Sequence, residues 1–243
     1  MGVLTEERQI QKTAVPEEEI LMPVASKGYL VLKRAFDFVS SLVASLVLIV
    51  PMLSISLVIF LMDKGSPLYA QKRVGQGGKL LKIYKFRSMK VGADNLEKML
   101  TPEQLEEYKK EYKLKDDPRL IGYKKPGDGD KCFGAVLRKT SLDEIAQILI
   151  NVCVLGNMSV VGPRPILQSE LEENYTEAEQ SLILSVKPGL TGYWQAYARN
   201  NATYASGERQ KMELYYIQNR SFLFDLKIIF QTVATVIRKT GAN

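Results

Sequence analysis

The 243-residue sequence contains no histidine and only two cysteines. Without histidine the chain cannot form a Ser-His-Asp triad, a Cys-His dyad or an imidazole metal ligand. The two cysteines, Cys132 and Cys153, are too few for a zinc cluster or a disulfide framework, and they suit a reducing compartment. Any acid–base or nucleophilic chemistry must therefore depend on carboxylates, lysine, tyrosine or serine.

Acidic residues are also fewer than basic ones. The chain has 33 Lys and Arg residues and 27 Asp and Glu residues, which gives a net charge of +6. The excess is uneven. Residues 1–32 carry three basic and five acidic residues, and we predict a flexible acidic tail there. The basic remainder favours an anionic partner: nucleic acid, anionic lipid or nucleotide phosphate.

One long apolar segment narrows this choice, because Phe38–Met62 is a run of 25 uncharged residues. As a helix it would measure roughly 37 Å, more than the hydrocarbon core of a bilayer. Pro51 divides it into two arms, each too short to cross alone. The segment is therefore either a kinked spanning helix or a re-entrant helix that enters one leaflet and returns.

The residues by themselves leave these two topologies open. A lipid-exposed break strands backbone carbonyls, which favours the spanning helix. Basic residues flank both ends, with Lys33 and Arg34 before the segment and eight basic residues and no acidic one in residues 64–90. Such flanks are typical of two cytoplasmic ends.

Three further patterns predict secondary structure. The stretch YAQKRV, GQGG, KLLKIYKFR predicts a β-hairpin around a glycine turn. Residues 93–115 predict a solvated helical pair, whose second helix begins at Thr101-Pro102. Residues 222–237 are too short and charged to span a membrane, and they predict an interfacial or core helix.

A carboxylate pair lies in a pattern typical of a helix start. Ser141-Leu142-Asp143-Glu144 fits a capping box, and apolar residues follow at helical spacing. Asp143 and Glu144 would then occupy the first turn, where anions are favoured, with Arg138 close upstream. Taken alone, an ordinary helix cap explains this pattern well.

Two rigid loops complete the set of candidate site residues. Gly162-Pro163-Arg164-Pro165 would hold the Arg164 guanidinium in a fixed place suited to a phosphate, or it is a structural turn. The run KPGLTGYWQ carries the sole tryptophan, Trp194, which is either a buried structural ring or a stacking partner for a nucleobase. Arg199 closes this run.

Together these segments resemble the bacterial sugar transferase family, the monotopic phosphoglycosyl transferases that begin capsule, exopolysaccharide and O-antigen assembly. The resemblance covers about residues 33–239. The matching blocks, in order, are KRAFDF, RVGQGGKLLKIYKFRSM, DPR, LRKTSLDE, NMSVVGPRP, KPGLTGYWQAYARN and SFLFDLKII. No single block is specific for this family, but the occurrence of all the blocks in this order is.

The resemblance implies transfer of a sugar-1-phosphate from a UDP-sugar to undecaprenyl phosphate at the cytoplasmic face of the inner membrane, with release of UMP. It also implies an α+β, mostly helical fold: a re-entrant membrane helix hairpin over residues 33–63, bent at Pro51, and a cytosolic catalytic domain over residues 64–243 with a small β-hairpin and interfacial helices. Expected partners are membrane lipids and both substrates, without nucleic acid, and a homodimer is left open.

The resemblance further assigns roles to individual residues. Asp143 matches the nucleophile, and the adjacent Glu144 matches the Mg²⁺ ligand. Arg138 and Lys85 match catalytic positions beside them. The expected substrate-binding residues are Arg87, Arg164, Pro163, Trp194 and Arg199.

The chemistry of carboxylates supports this assignment, since a carboxylate can attack phosphorus directly. Phosphoryl transfer otherwise needs positioning and charge neutralisation, which Mg²⁺ and fixed arginines provide. Two rival hypotheses remain open. In one, the lipid phosphate attacks directly and Asp143 only holds metal; in the other, the chain is a membrane-anchored basic scaffold for an anionic partner, and the Asp-Glu pair is only a helix cap.

Overall fold

The computed structural model describes residues 25–111, 114–198 and 206–237. Residues 1–24, most of the predicted acidic tail, and Arg199 lie outside this range. The chain enters its first helix at Lys27, before the boundary predicted at residue 33. Ser26 explains the early start, because its side chain accepts a hydrogen bond from the backbone N–H of Tyr29 and so caps the helix.

The fold is mostly helical, as predicted, and it contains two small sheets, of which only the β-hairpin was predicted. The helices are α1 (Lys27–Asp63), α2 (Leu96–Met99), α3 (Pro102–Glu111), α4 (Phe133–Lys139), α5 (Gln168–Asn174), α6 (Glu177–Leu184), α7 (Tyr193–Tyr197), α8 (Glu208–Asn219) and α9 (Phe222–Ile237). The strands are β1 (Leu68–Val74), β2 (Leu80–Phe86), β3 (Ser159–Val161) and β4 (Gly189–Thr191). A 3₁₀ turn (Leu142–Glu144) and a π-helix (Ile148–Val154) lie between α4 and β3.

Helix α1 runs through Pro51 without interruption, so the structure contains one continuous helix where two arms were expected. It is the one helix of the described chain long and apolar enough to cross a membrane. Ser54 and Ser56 donate to the carbonyls of Val50 and Met52, four residues back, rather than to the carbonyl that proline leaves free. The re-entrant hairpin stays a prediction.

One stripe of α1 packs against the rest of the protein along the whole helix. Its buried members are Asp37, Ser41, Ser45, Met52 and Ile59. The intervals of four and seven residues are those of a single helical face. The other faces of α1 expose a large apolar surface, from Leu30 to Met62.

The predicted β-hairpin is confirmed. Strands β1 and β2 pair antiparallel, from Leu68 opposite Phe86 to Val74 opposite Leu80. Gly77 and Gly78 in the connecting turn have φ of 69° and 72°, a region that glycine enters without cost. Leu81 and Ile83 face inward and pack on Val152 and Met158.

The helical pair over residues 93–115 and the helix over 222–237 are also confirmed. Helix α3 begins where predicted, and Thr101 and Gln104 exchange hydrogen bonds between side chain and backbone. Helix α9 buries Asp225 and Ile228 while it exposes Leu223 and Phe230.

The predicted capping box at Ser141 is wrong. Ser141 has φ of 55° and ψ of 19°, and its side chain makes no cap hydrogen bond. Its backbone N–H instead donates to the carbonyl of Arg138, so Ser141 terminates α4 in the left-handed conformation common at helix C-termini. Asp143 and Glu144 therefore lie in a 3₁₀ turn after α4, and not in the first turn of an α-helix.

The two rigid loops pack against each other at glycines. Strand β3 pairs parallel to β4, and the N–H of Gly162 donates to the carbonyl of Thr191. The N–H of Gly189 donates back to the carbonyl of Pro163. A Cβ atom on Gly162 would lie 2.5 Å from the carbonyl oxygen of Lys187 and 2.7 Å from the nitrogen of Gly189, closer than real side chains approach.

We expect Gly162→Ala to lower the free energy of unfolding by about 3 kcal/mol, the upper end of overpacking costs, because the obstructing atoms are backbone. Gly28→Ala is the matched control. A Cβ atom at Gly28 meets nothing within 4 Å, so alanine there should be neutral or stabilise α1 by up to about 1 kcal/mol. Thermal unfolding of both variants in detergent checks this, and equal stabilities would contradict it.

Candidate active site

Four residues predicted as catalytic come together at the turn after α4. Asp143 and Glu144 occupy the 3₁₀ turn, Lys85 lies near the end of β2, and Arg138 lies in the last turn of α4. The Lys85 Nζ donates to Glu144 Oε1 at 2.6 Å. Glu144 is available for this contact because it closes no capping box.

The environment of Asp143 suits a carboxylate that must react. Its pKa is raised to about 6, chiefly by burial and also by the negative charge of Glu144, while the positive charges of Lys85 and Arg138 partly oppose the increase. At neutral pH the side chain is thus mostly ionised but poorly solvated. The Asp143 carboxylate therefore carries its negative charge with little stabilisation by water, which favours its reaction.

The carboxylates also fit a divalent cation. Their oxygens are the hard ligands that Mg²⁺ prefers. Within residues 25–111, 114–198 and 206–237, no group of three or more acidic, cysteine or histidine side chains could hold a metal ion. An Mg²⁺ ion at Asp143 and Glu144 would therefore complete its coordination with water or with phosphate oxygens of a substrate.

A second cluster forms around Arg164. Its exposed guanidinium lies over the Trp194 ring, 5.5 Å from the centroid, and the guanidinium of Arg209 lies 4.4 Å from the same centroid. The backbone N–H of Arg164 donates to both carboxylate oxygens of Glu213, each at 3.2 Å.

Two predicted substrate-binding residues in this region are buried. Trp194 is only 5% exposed, so its ring has no open face on which a nucleobase could stack, and the alternative of a buried structural ring holds. Pro163 is also buried, and its carbonyl accepts a hydrogen bond from Gly189. Its predicted role in substrate binding stays a prediction. Both residues thus shape the loop that presents Arg164.

Arg87 is engaged within the protein. It forms an ion pair with Asp63 at the end of α1, and its Nε donates to the carbonyl of Ser66 at 2.7 Å. These contacts hold the end of α1 against the end of β2. Its predicted role in substrate binding stays a prediction.

Sequence patterns did not single out several buried charges. Asp37 accepts from Ser159 Oγ and the Val160 N–H, and Asp225 accepts from Tyr29, Lys33 and Tyr216. Glu213 in α8 is 2% exposed. The available signal was a charge inside an apolar block, as in KRAFDF and SFLFDLKII.

Comparison with known proteins decides the family. The family model described as bacterial sugar transferase matches residues 28–239. The chain belongs to the bacterial sugar transferase family. This confirms the resemblance drawn from the ordered sequence blocks.

Several members of the bacterial sugar transferase family are similar along most of this chain. A UDP-galactose-lipid carrier transferase of Erwinia amylovora is 38% identical over 87% of the chain, and an undecaprenyl-phosphate galactose phosphotransferase of Salmonella typhimurium is 37% identical over 90%. The chain spans only 41% and 43% of the length of these two relatives. The exopolysaccharide production protein ExoY of Rhizobium meliloti is 37% identical over 94% of both chains.

We expect protonation of Glu213 to make stability depend on pH. Burial raises the pKa of Glu213 to about 7, above the 4.5 of an unfolded chain. Between these values the unfolded state releases the proton and the folded state keeps it, so stability falls as pH rises from about 4.5 to 7, by roughly 3 kcal/mol at most.

Unfolding of wild type and Glu213→Gln between pH 4.5 and 8 checks this expectation. The variant cannot ionise at this position, so its stability should fall less across the window. Parallel curves for the two proteins would contradict the assignment.

Proposed function

We propose that this protein transfers a sugar-1-phosphate from a UDP-sugar to undecaprenyl phosphate and so begins the assembly of a surface polysaccharide. The observation that carries the proposal is the cluster at Asp143, where a poorly solvated carboxylate faces two cations and an adjacent acid. The names of the relatives support the substrates, since they specify a UDP-sugar, a lipid carrier and undecaprenyl phosphate.

Asp143 acts as the nucleophile in the proposed reaction. Its carboxylate oxygen bonds to the phosphorus that bears the sugar, while the bond from that phosphorus to the bridging oxygen breaks, and UMP leaves with the electron pair. An oxygen of undecaprenyl phosphate then attacks the same phosphorus and releases the Asp143 carboxylate. The two displacements balance without an external proton source.

The neighbouring residues serve this reaction by position and charge. Lys85 and Arg138 neutralise charge beside Asp143 and favour its ionised form. Glu144 would hold Mg²⁺ together with the phosphates of the donor, and the cation would supply further neutralisation of the pyrophosphate. The exposed Arg164 guanidinium would contact a donor phosphate.

We also propose that α1 lies in the inner membrane with both ends on the cytoplasmic side. Asp37 near one end contacts β3, and Asp63 at the other end contacts Arg87 after β2. These two residues are separated by about 39 Å of helix, more than the hydrocarbon core. Strands β2 and β3 share one buried cluster, so a crossing helix would place one folded core on both sides of the bilayer.

We expect Asp143→Asn to reduce UMP release at least about 10³-fold, because the amide removes the nucleophilic oxygen. The change in stability should be under about 1 kcal/mol, since no cap depends on this side chain. Intact mass after mixing wild type with donor, without lipid, should show a phosphosugar adduct that the Asn variant lacks.

Asp130→Asn provides the matched control, because this acid is exposed and only 4.0 Å from Lys139 in a surface pair. It should retain activity. An adduct on Asp143→Asn, or near-normal UMP release from it, would support direct attack by the lipid or the scaffold hypothesis instead.

To test the topology, we use the single variants Lys27→Cys and Lys98→Cys. We expect both introduced cysteines to react with an impermeant maleimide from the same side of the membrane. Both positions are exposed on opposite sides of the apolar run, and the natural cysteines are buried, so the unsubstituted chain serves as background. Inside-out vesicles should label both positions and intact spheroplasts neither. Labelling of the two from opposite faces would establish a crossing helix.

A further inference from the structure

We propose that Glu213 is a positioning residue that fixes Arg164 for contact with the donor phosphates. This inference rests on the proposed transferase function and adds to it a residue remote from the reacting carboxylate. The link is the double hydrogen bond from the Arg164 N–H to the Glu213 carboxylate.

The proline pattern leaves the loop few backbone donors by which it can be held. Pro163 and Pro165 have no N–H, so the backbone of the loop can donate only from Gly162 and Arg164. The Gly162 N–H is used by the carbonyl of Thr191. The Arg164 N–H is thus the remaining donor by which the loop can be held, and Glu213 accepts it.

A carboxylate is an expensive choice for a position that is 2% exposed. Leucine or methionine would fill this part of the core between α8 and the loop without that cost. Nearby cations offset part of this cost, because the positive charges of Arg209 and Arg164 favour the ionised form of Glu213. The benefit of a carboxylate at Glu213 therefore lies in the hydrogen bonds that it accepts from the Arg164 N–H.

Backbone and side chain of Arg164 are held by two different contacts. Glu213 holds the backbone, while the Trp194 ring lies beneath the guanidinium. The guanidinium of Arg209 also packs against the Trp194 ring, so the Arg164 guanidinium has less freedom to turn inward. Its side chain stays exposed and oriented, and a pre-oriented cation binds phosphate with a smaller entropic cost.

The test is a double-mutant cycle on the full chain in detergent, with UMP release as the measurement. Wild type is first assayed with UDP-galactose, UDP-glucose and UDP-N-acetylglucosamine. The variants are then assayed with the donor that reacts. Arg164→Ala should raise the donor KM about 10- to 100-fold. Glu213→Met, which keeps length without an acceptor, should raise the donor KM about tenfold and leave the KM for undecaprenyl phosphate unchanged. Glu213→Gln keeps one acceptor oxygen and should stay within about threefold of wild type.

The double variant decides whether Glu213 acts through Arg164. If it does, Glu213→Met together with Arg164→Ala should be no worse than Arg164→Ala alone. If Glu213→Met does not fold, Glu213→Asp replaces it in the cycle. Aspartate keeps the carboxylate, but its side chain is one methylene shorter, so the acceptor oxygens lie farther from the Arg164 N–H. Its donor KM should then rise several-fold at a normal folded fraction.

The outcomes separate this inference from the function on which it rests. A large effect of Arg164→Ala with no effect of the Glu213 variants, or with a multiplicative effect in the double variant, would overturn the positioning role and leave the transferase proposal standing. A uniform loss of activity that follows the unfolded fraction would also overturn it. Absence of UMP release by wild type from every donor would overturn the transferase proposal itself, and the positioning role with it.

Discussion

Three carboxylates attach the apolar helix α1 to the rest of the fold, and the remaining structure depends on these contacts. Asp37 binds β3, Asp225 binds Tyr29 and Lys33 of α1, and Asp63 binds Arg87. Asp37 and Asp225 are almost completely buried. Such contacts are directional and costly to break, since removal of either partner leaves an uncompensated buried group. They fix where α1 lies, which apolar packing alone would specify less sharply.

This attachment also positions the reactive carboxylates. The hairpin follows directly from α1, and Arg87 holds the end of β2 against Asp63. Lys85 lies two residues before Arg87, within β2, and its side chain reaches Glu144. Met52 and Ile59 of α1 share a buried cluster with Phe86, Leu137 and Ala146, whose neighbours carry the site residues. The geometry of the site is therefore coupled to the position of α1.

Sequence patterns predicted the elements whose signals are local. The hairpin has a glycine turn between alternating strands, and α3 has its own cap and a proline at its first position. Ser141 was misassigned because the same Ser-x-x-Glu spacing fits a capping box and a left-handed residue that ends the preceding helix. Glu213 was not predicted because its partner Arg164 is 49 residues away, and a lone glutamate in a helix carries no signal of burial.

The misassigned turn resolves a conflict in the chemistry. In a capping box, Glu144 would direct its oxygens to the backbone of Ser141 and would not be able to bind a metal ion with the same atoms. The left-handed Ser141 removes this competition, because α4 ends there and the dyad lies on a separate 3₁₀ turn. Ser141 is the one non-glycine residue with positive φ in the described ranges, and this conformation costs about 1–2 kcal/mol. A glycine at this position would avoid the cost but allow the turn more conformations. Serine thus restrains the short link between Arg138 and Asp143, so that the guanidinium and the carboxylate keep a fixed relation.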